Sequence, residues 1–308
     1  MSKQQILSTR LAAAFGLALC LGVMSLQAQP PGGGGGGGGG FGGGGNQAAL
    51  NDQAKALPTP RLPNGKPDLT GSWQAAGGGQ RNAPGGMFRR CTPYQTKSCM
   101  EWTNQSEDFI FQAPMRLDTN QPLYKPEYWD QVIAHDQWTN RDDPVMTCLP
   151  LGNPRQGAPS RIYATNDDIL LLYRGGVDGG GGYPELRMLR IDGQPHDPQR
   201  ALQYTYMGYT VGRWEGDTLV LDSIGYTDET WLGRGGKIHS DQMHIIEKFT
   251  RTGNLMTYDV TIEDPVMFVQ PWVMNQRTLR IANNPTIIAE RGSCSDSEHE
   301  EVTSQFRH

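Results

Sequence analysis

From Ser160 onward the chain is written as short runs of β-branched, aromatic and aliphatic residues cut apart by turn signals, and this constrains the fold more than any other feature. The runs lie near Arg161 to Thr165, Ile169 to Arg174, Glu185 to Ile191, Tyr204 to Trp214, Thr218 to Gly225, Met243 to Arg251, Leu255 to Ile262, Pro271 to Ile281 and Thr286 to Arg291. Asn166-Asp167, Asp192-Gly193, Glu215-Gly216-Asp217, Thr252-Gly253-Asn254 and Asn283-Asn284-Pro285 separate them, residues that supply turn geometry. In one run Met256, Tyr258, Val260 and Ile262 alternate with Thr257, Asp259 and Thr261, so one face is core and the other is wet. With a further strand at Leu69 to Gln74, the pattern predicts about ten mainly antiparallel strands in about 250 residues, an all-β domain closed as a barrel or folded as a sandwich. One short helix is expected over Pro126 to Trp138, where proline suits the first turn, Glu127 follows it, and Tyr128, Val132 and Ile133 share a face. Ala76 to Pro122, rich in Gly, Pro, Gln and Arg, reads as a long irregular N-terminal cover.

The first residues have the order of a secretory signal peptide: Lys3 and Arg10, an apolar run from Leu11 to Val23 too short to span a bilayer, then Ser25-Leu26-Gln27-Ala28. Cleavage is expected after Ala28. Leu19 before Cys20 argues against a lipid-modified cysteine. The mature chain is therefore expected in the periplasm or outside the cell, with no stable membrane insertion. Residues 29–60 carry the glycine runs Gly32 to Gly40 and Gly42 to Gly45 and read as a flexible linker, with a short helix conceivable over Gln47 to Leu57 before Pro58 and Pro60 end it. The β domain is assigned to residues 61–294 and an acidic tail to 295–308. Removing the signal takes away two basic residues and no acid, so the formal charge moves from −5 to −7, which leaves no electrostatic footprint for nucleic acid. Four cysteines remain, Cys91, Cys99, Cys148 and Cys294. An even number in an oxidising compartment favours two disulfides, and of the three connectivities Cys91 to Cys99 with Cys148 to Cys294 is preferred. No C-x-x-C spacing points to zinc or redox chemistry.

Four blocks carry a resemblance: Asn64-Gly-Lys-Pro-Asp-Leu-Thr-Gly-Ser-Trp73, Cys148-Leu-Pro-Leu-Gly-Asn-Pro-Arg155, Gly212-Arg-Trp-Glu-Gly-Asp-Thr-Leu-Val-Leu-Asp222, and Ile238-His-Ser-Asp-Gln-Met-His244 through Glu247. In that order they resemble a large, mostly uncharacterised family of secreted bacterial β-rich proteins. The likeness runs from Pro60 to Cys294 and implies the domain boundary but no activity. Gly71-Ser72-Trp73 is also similar to the opening of lipocalin-type barrels, which implies a lipocalin-like closure of the sheet.

Candidate chemistry concentrates between Tyr204 and Arg251, where His239 and His244 make the only close pair among six histidines. His239-Ser240-Asp241 lacks the geometry of a catalytic triad, because adjacent residues do not place hydroxyl and carboxylate on opposite imidazole nitrogens. An acid–base reading has more support. On a strand beginning near Met243, Glu247 shares the inward face with Met243, Ile245 and Phe249, and burial obliges it to find a partner or raise its pKa. His239 and Asp241 at the mouth of the barrel would then supply proton transfer, with His239 as general base. A structural reading stands beside this one: Glu247 pairs with an arginine such as Arg213, and His239 with Asp241 caps the loop. Metal binding is not expected, since positions 239 and 244 lack ligand spacing and a recognised third ligand.

Trp231, in a loop with Gly233, Gly235 and Gly236, is the best aromatic candidate for holding a ligand, with Arg213, Trp214, Tyr226, His244 and Arg155 around it. The leading expectation is a secreted barrel that binds a small apolar or aromatic ligand near the His239 loop, with no cofactor. The alternatives are an isomerase, lyase or hydrolase using His239, Asp241 and Glu247, and a structural or surface-interaction module.

Overall fold

The alternation in the sequence becomes ten strands in a computed structural model, which describes residues 44–76, 120–137, 142–174, 185–233 and 236–282. They are β1 (Gly71–Ala75), β2 (Arg161–Ala164), β3 (Asp168–Leu172), β4 (Leu186–Arg190), β5 (Tyr209–Glu215), β6 (Thr218–Ile224), β7 (His244–Thr252), β8 (Leu255–Glu263), β9 (Trp272–Val273) and β10 (Arg277–Ile281). All pair antiparallel, in the order β4-β3-β2-β1-β10-β8-β7-β6-β5, with β9 also on β8. The two ends of that order approach each other, and the sheet is a nearly closed barrel. Gly212 makes the approach possible, because a Cβ there would lie 2.9 Å from Leu189 Cδ1 and 3.1 Å from the Arg190 carbonyl oxygen. Across the same gap the Gly193 N–H donates to the Gly212 carbonyl at 3.0 Å.

Two matching hairpins form the centre of the larger half. Gly216 (φ 61°) and Gly253 (φ 60°) each take the first central position of a two-residue turn, between paired Glu215 and Thr218 and between paired Thr252 and Leu255. A positive φ in that position suits glycine and matches the twist of the flanking strands. Strand register then follows the alternation. Met256, Tyr258, Val260 and Ile262 are buried, and Ile245 and Phe249 meet them from β7, the Phe249 and Tyr258 rings stacked at 4.8 Å. Leu219, Leu221, Ile162, Ile169, Leu171 and Leu189 complete the wall of the core. Each such fully buried side chain contributes about 1.5–3 kcal/mol relative to exposure.

Several expectations need correction. The run from Tyr204 becomes a strand only at Tyr209. The run Pro271 to Ile281 is divided, because Thr261 opposite Val273 and Tyr258 opposite Arg277 are out of step by one residue, as a β-bulge requires. The described residues include the short helices α1 (Gly44–Ala56) and α2 (Pro126–Gln137), with single 3-10 turns at Pro144–Thr147 and Arg200–Leu202. In α2, Val132 is buried but Ile133 is 50 % exposed, so those two residues do not share the core face. α1 falls inside the stretch read as a flexible linker, yet it is docked. Ala54 packs with Ala76 and Leu255, its carbonyl accepts the Asn254 N–H at 2.9 Å, and the Thr59 hydroxyl accepts the Gly253 N–H at 2.8 Å.

The expected signal peptide, most of the irregular cover, the run Thr286 to Arg291 and the acidic tail lie outside the described residues, as do Cys91, Cys99 and Cys294. The described structure therefore does not test either cysteine pairing.

Candidate functional site

Strand alternation carries Glu247 of β7 into the barrel, fully buried, and carries Arg187 of β4 to meet it. Arg187 Nη1 lies 2.7 Å from Glu247 Oε2. The same carboxylate accepts Asn153 Nδ2 at 3.1 Å and the Tyr258 hydroxyl at 2.8 Å. Arg187 Nε and Nη2 both donate to the Tyr173 hydroxyl, at 3.0 and 2.6 Å, and Nη1 also reaches Thr210 Oγ1 at 3.4 Å. Asn153 Nδ2 also donates to the Tyr226 hydroxyl at 3.2 Å. The result is one connected polar cluster inside an apolar wall. Burial alone would depress the Arg187 pKa, but Glu247 and Tyr173 hold it raised. Burial raises all three phenols, Tyr226 to about 12, so each stays protonated near neutral pH.

Two groups beside this cluster are under-satisfied. Asn153 is 2 % exposed, and its Oδ1 is buried without a hydrogen-bond partner. The amide orientation is fixed, because its nitrogen must face the Glu247 carboxylate. Glu185 directly precedes β4, and the period of two puts it on the inward face with Arg187. Both of its carboxyl oxygens are buried, and no side chain donates to either. Burial pushes its pKa up to about 7, and nearby Arg187 and the Leu151 N–H oppose that rise.

The His239 loop is built differently from its expected role. His239 is 1 % exposed, with Nδ1 at 3.0 Å from the Ser240 carbonyl and Nε2 at 2.9 Å from Thr230 Oγ1. A carbonyl only accepts, so Nδ1 carries the proton and Nε2 takes the Thr230 hydroxyl. Burial lowers its pKa, which keeps it neutral and structural. The capping role falls to Asp264, whose carboxylate accepts the Ser240 N–H at 2.7 Å, its hydroxyl at 2.9 Å, and the N–H groups of Val266 and Met267. Asp241 is exposed on the adjacent turn and accepts from Gln242. Glu247 thus stands in a different hydrogen-bond network from His239 and Asp241, which are linked only through Ser240 and Gln242. Trp231 is 5 % exposed, within the core, and its ring lies 5.3 Å from that of His135.

Arg213 faces outward, 2.8 Å from Glu215 and 3.6 Å from Asp222, and it is not the partner of Glu247. Beside it His244 is held between Asp222 at 2.8 Å and Glu263 at 3.0 Å. The Asp222 hydrogen bond leads the upward shift of its pKa, against partial burial, with Glu263 adding to it. Trp214 packs partly buried against the core. Arg155 makes a buried two-pronged ion pair with Asp143, at 2.7 and 2.6 Å. Of the residues chosen from sequence, Glu247 and Tyr226 therefore belong to the inner cluster. Sequence reasoning missed Arg187, Glu185, Asn153, Tyr173 and Tyr258 as its members. The signal for Arg187 lay in Arg187, Leu189 and Ile191, whose shared face places a charge where the core must be.

Among the described residues no group of three or more His, Cys, Asp or Glu could hold a metal ion, and no helix is long and apolar enough to cross a membrane. No family model, curated protein or solved structure matches the chain.

Proposed function

We propose that this chain is a secreted or periplasmic β-barrel protein that binds a small molecule inside the barrel, at the polar cluster around Arg187 and Glu247. The observation that supports it is the cluster itself. A buried ion pair loses several kcal/mol of hydration per charge, and an apolar wall of the same volume is often as stable or more so. A barrel interior that nevertheless carries a charged pair and three phenols has the fixed polar groups that orient a ligand within aromatic surroundings. The cluster supports binding inside the barrel rather than at the His239 loop. The signal peptide and the pairings of Cys91 with Cys99 and Cys148 with Cys294 belong to the same reading, as does the likeness to secreted bacterial β-rich proteins.

Native mass spectrometry on the mature protein, purified from its own secretory compartment, tests it. The expected spectrum shows an N-terminus after Ala28 and a small organic molecule lost on unfolding. A ligand-free chain whose melting temperature no compound in a broad small-molecule panel moves would overturn the binding reading.

A further inference from the structure

We propose that the corner formed by Glu185 and Asn153 receives the cationic ammonium group of a small molecule, which assigns the barrel to amine-bearing ligands. This rests on the barrel-binding reading and adds a ligand class to it. The argument is a count of hydrogen-bonding capacity. Three acceptor atoms at this corner are buried without a side-chain donor: Asn153 Oδ1 and both carboxyl oxygens of Glu185, which has only the Leu151 N–H beside it. A primary ammonium brings three N–H donors, and it also brings the positive charge that a buried carboxylate lacks.

The donors of Arg187 and Asn153 are directed to other partners. Arg187 directs Nε and Nη2 to Tyr173 and Nη1 to Glu247 and Thr210, while Asn153 Nδ2 is shared by Glu247 and Tyr226. The neighbouring Arg155 holds Asp143. An anionic ligand would meet an Arg187 already paired with Glu247, and it would face the Glu185 carboxyl as well. With Arg187 matched by Glu247, ionised Glu185 leaves the cluster one positive charge short.

The two acceptors are brought together by connected residues. Asn153 Nδ2 and Arg187 Nη1 meet on the same Glu247 oxygen, so the Asn153 amide lies beside the guanidinium. Glu185 is two residues from Arg187 on the same strand face, and it also sits by Leu151, two residues before Asn153. Glu185 itself is only partly buried, so the corner lies towards the surface.

Isothermal titration of the mature protein with ethylammonium and benzylammonium, against acetate and benzoate as partners of like shape and opposite charge, tests the assignment. The expected result is saturable binding of at least one ammonium, none of either carboxylate, and a loss of tenfold or more in the folded Glu185→Gln protein. Equal or tighter binding of a carboxylate, or unchanged ammonium affinity in Glu185→Gln, would overturn the ammonium assignment and leave barrel binding intact. No binding of any of the four compounds to a protein that retains another small molecule in native mass spectrometry also overturns it. An empty protein that binds none of them and responds to no panel compound removes both readings.

Discussion

Arg187 Nη1 and Glu247 Oε2 lie 2.7 Å apart, with side chains 5 % and 0 % exposed, and this contact joins β4 to β7 across the inside of the barrel. Removing one partner alone is expected to cost more than replacing both. Arg187→Met strands the Glu247 carboxylate in the core and is expected to cost about 3–5 kcal/mol, because the remaining charge keeps its desolvation penalty. Arg187→Met with Glu247→Leu is expected to recover most of that loss. Urea denaturation of the four proteins checks both, and a single variant within 1 kcal/mol of the parent would show that the pair is not buried.

The barrel gap gives a second expectation. Gly212→Ala places a Cβ against Leu189 Cδ1 and the Arg190 carbonyl, at 2.9 and 3.1 Å, and is expected to cost about 1–3 kcal/mol. Leu189→Ala removes one of those two obstacles, so the double variant should be more stable than the summed single losses predict. Strict additivity in thermal or chemical unfolding would mean that β4 and β5 do not touch there.

His239 and Asp241 separate a structural histidine from a catalytic one. His239→Ala leaves the Thr230 hydroxyl and the Ser240 carbonyl without their partner in a buried site, an expected cost of about 1–3 kcal/mol. Asp241→Ala, on an exposed turn, should fall within about 0.5 kcal/mol of the parent. Comparable losses from both substitutions would restore a shared role for the two residues.

The outer cluster predicts a pH dependence whose sign follows from two opposite shifts. His244 is raised by its hydrogen bond to Asp222 against partial burial, with help from Glu263, so its contribution is complete below the unfolded value of about 6.5 and is lost as pH rises through the higher folded value. Asp222 is lowered by the same hydrogen bond against its own partial burial, so its contribution is present above about 3.9 and is lost as pH falls through the lower folded value. The contact is therefore strongest between those two limits. Because both side chains are partly exposed, solvent screening reduces it to about 0.5–1 kcal/mol. Stability curves from pH 4 to 9 should lose their alkaline decline in His244→Gln, and an NMR titration should find the His244 pKa above 6.5. A depressed value would contradict the geometry.

The strands and hairpin turns were legible because their causes are local. Met256, Tyr258, Val260 and Ile262 alternate with polar residues, and a glycine able to hold positive φ stands between each central pair of strands. The inward placement of Glu247 followed from the same period of two. Alternation misleads where apolar residues fall on both faces. In β4 the sequence Leu-Arg-Met-Leu-Arg leaves Leu186 and Met188 62 % and 71 % exposed while Arg187 is buried. Hydrophobicity alone would turn those first residues the other way.

What the sequence determined by itself is the period of the strands, the position of the hairpin turns and the presence of an unaccounted carboxylate at Glu247, since all of these depend on residues a few positions apart. What the tertiary structure decided is which strands become neighbours: β1 beside β10, and β4 closing towards β5. That closure chose Arg187 over Arg213 as the partner of Glu247, brought Asn153 to the same oxygen, and left His239 enclosed by Thr230 and Ser240. No local rule encodes those meetings. They arise because the apolar faces of distant strands must be buried together, and the polar side chains on those faces then pair with whatever the closure brings within reach.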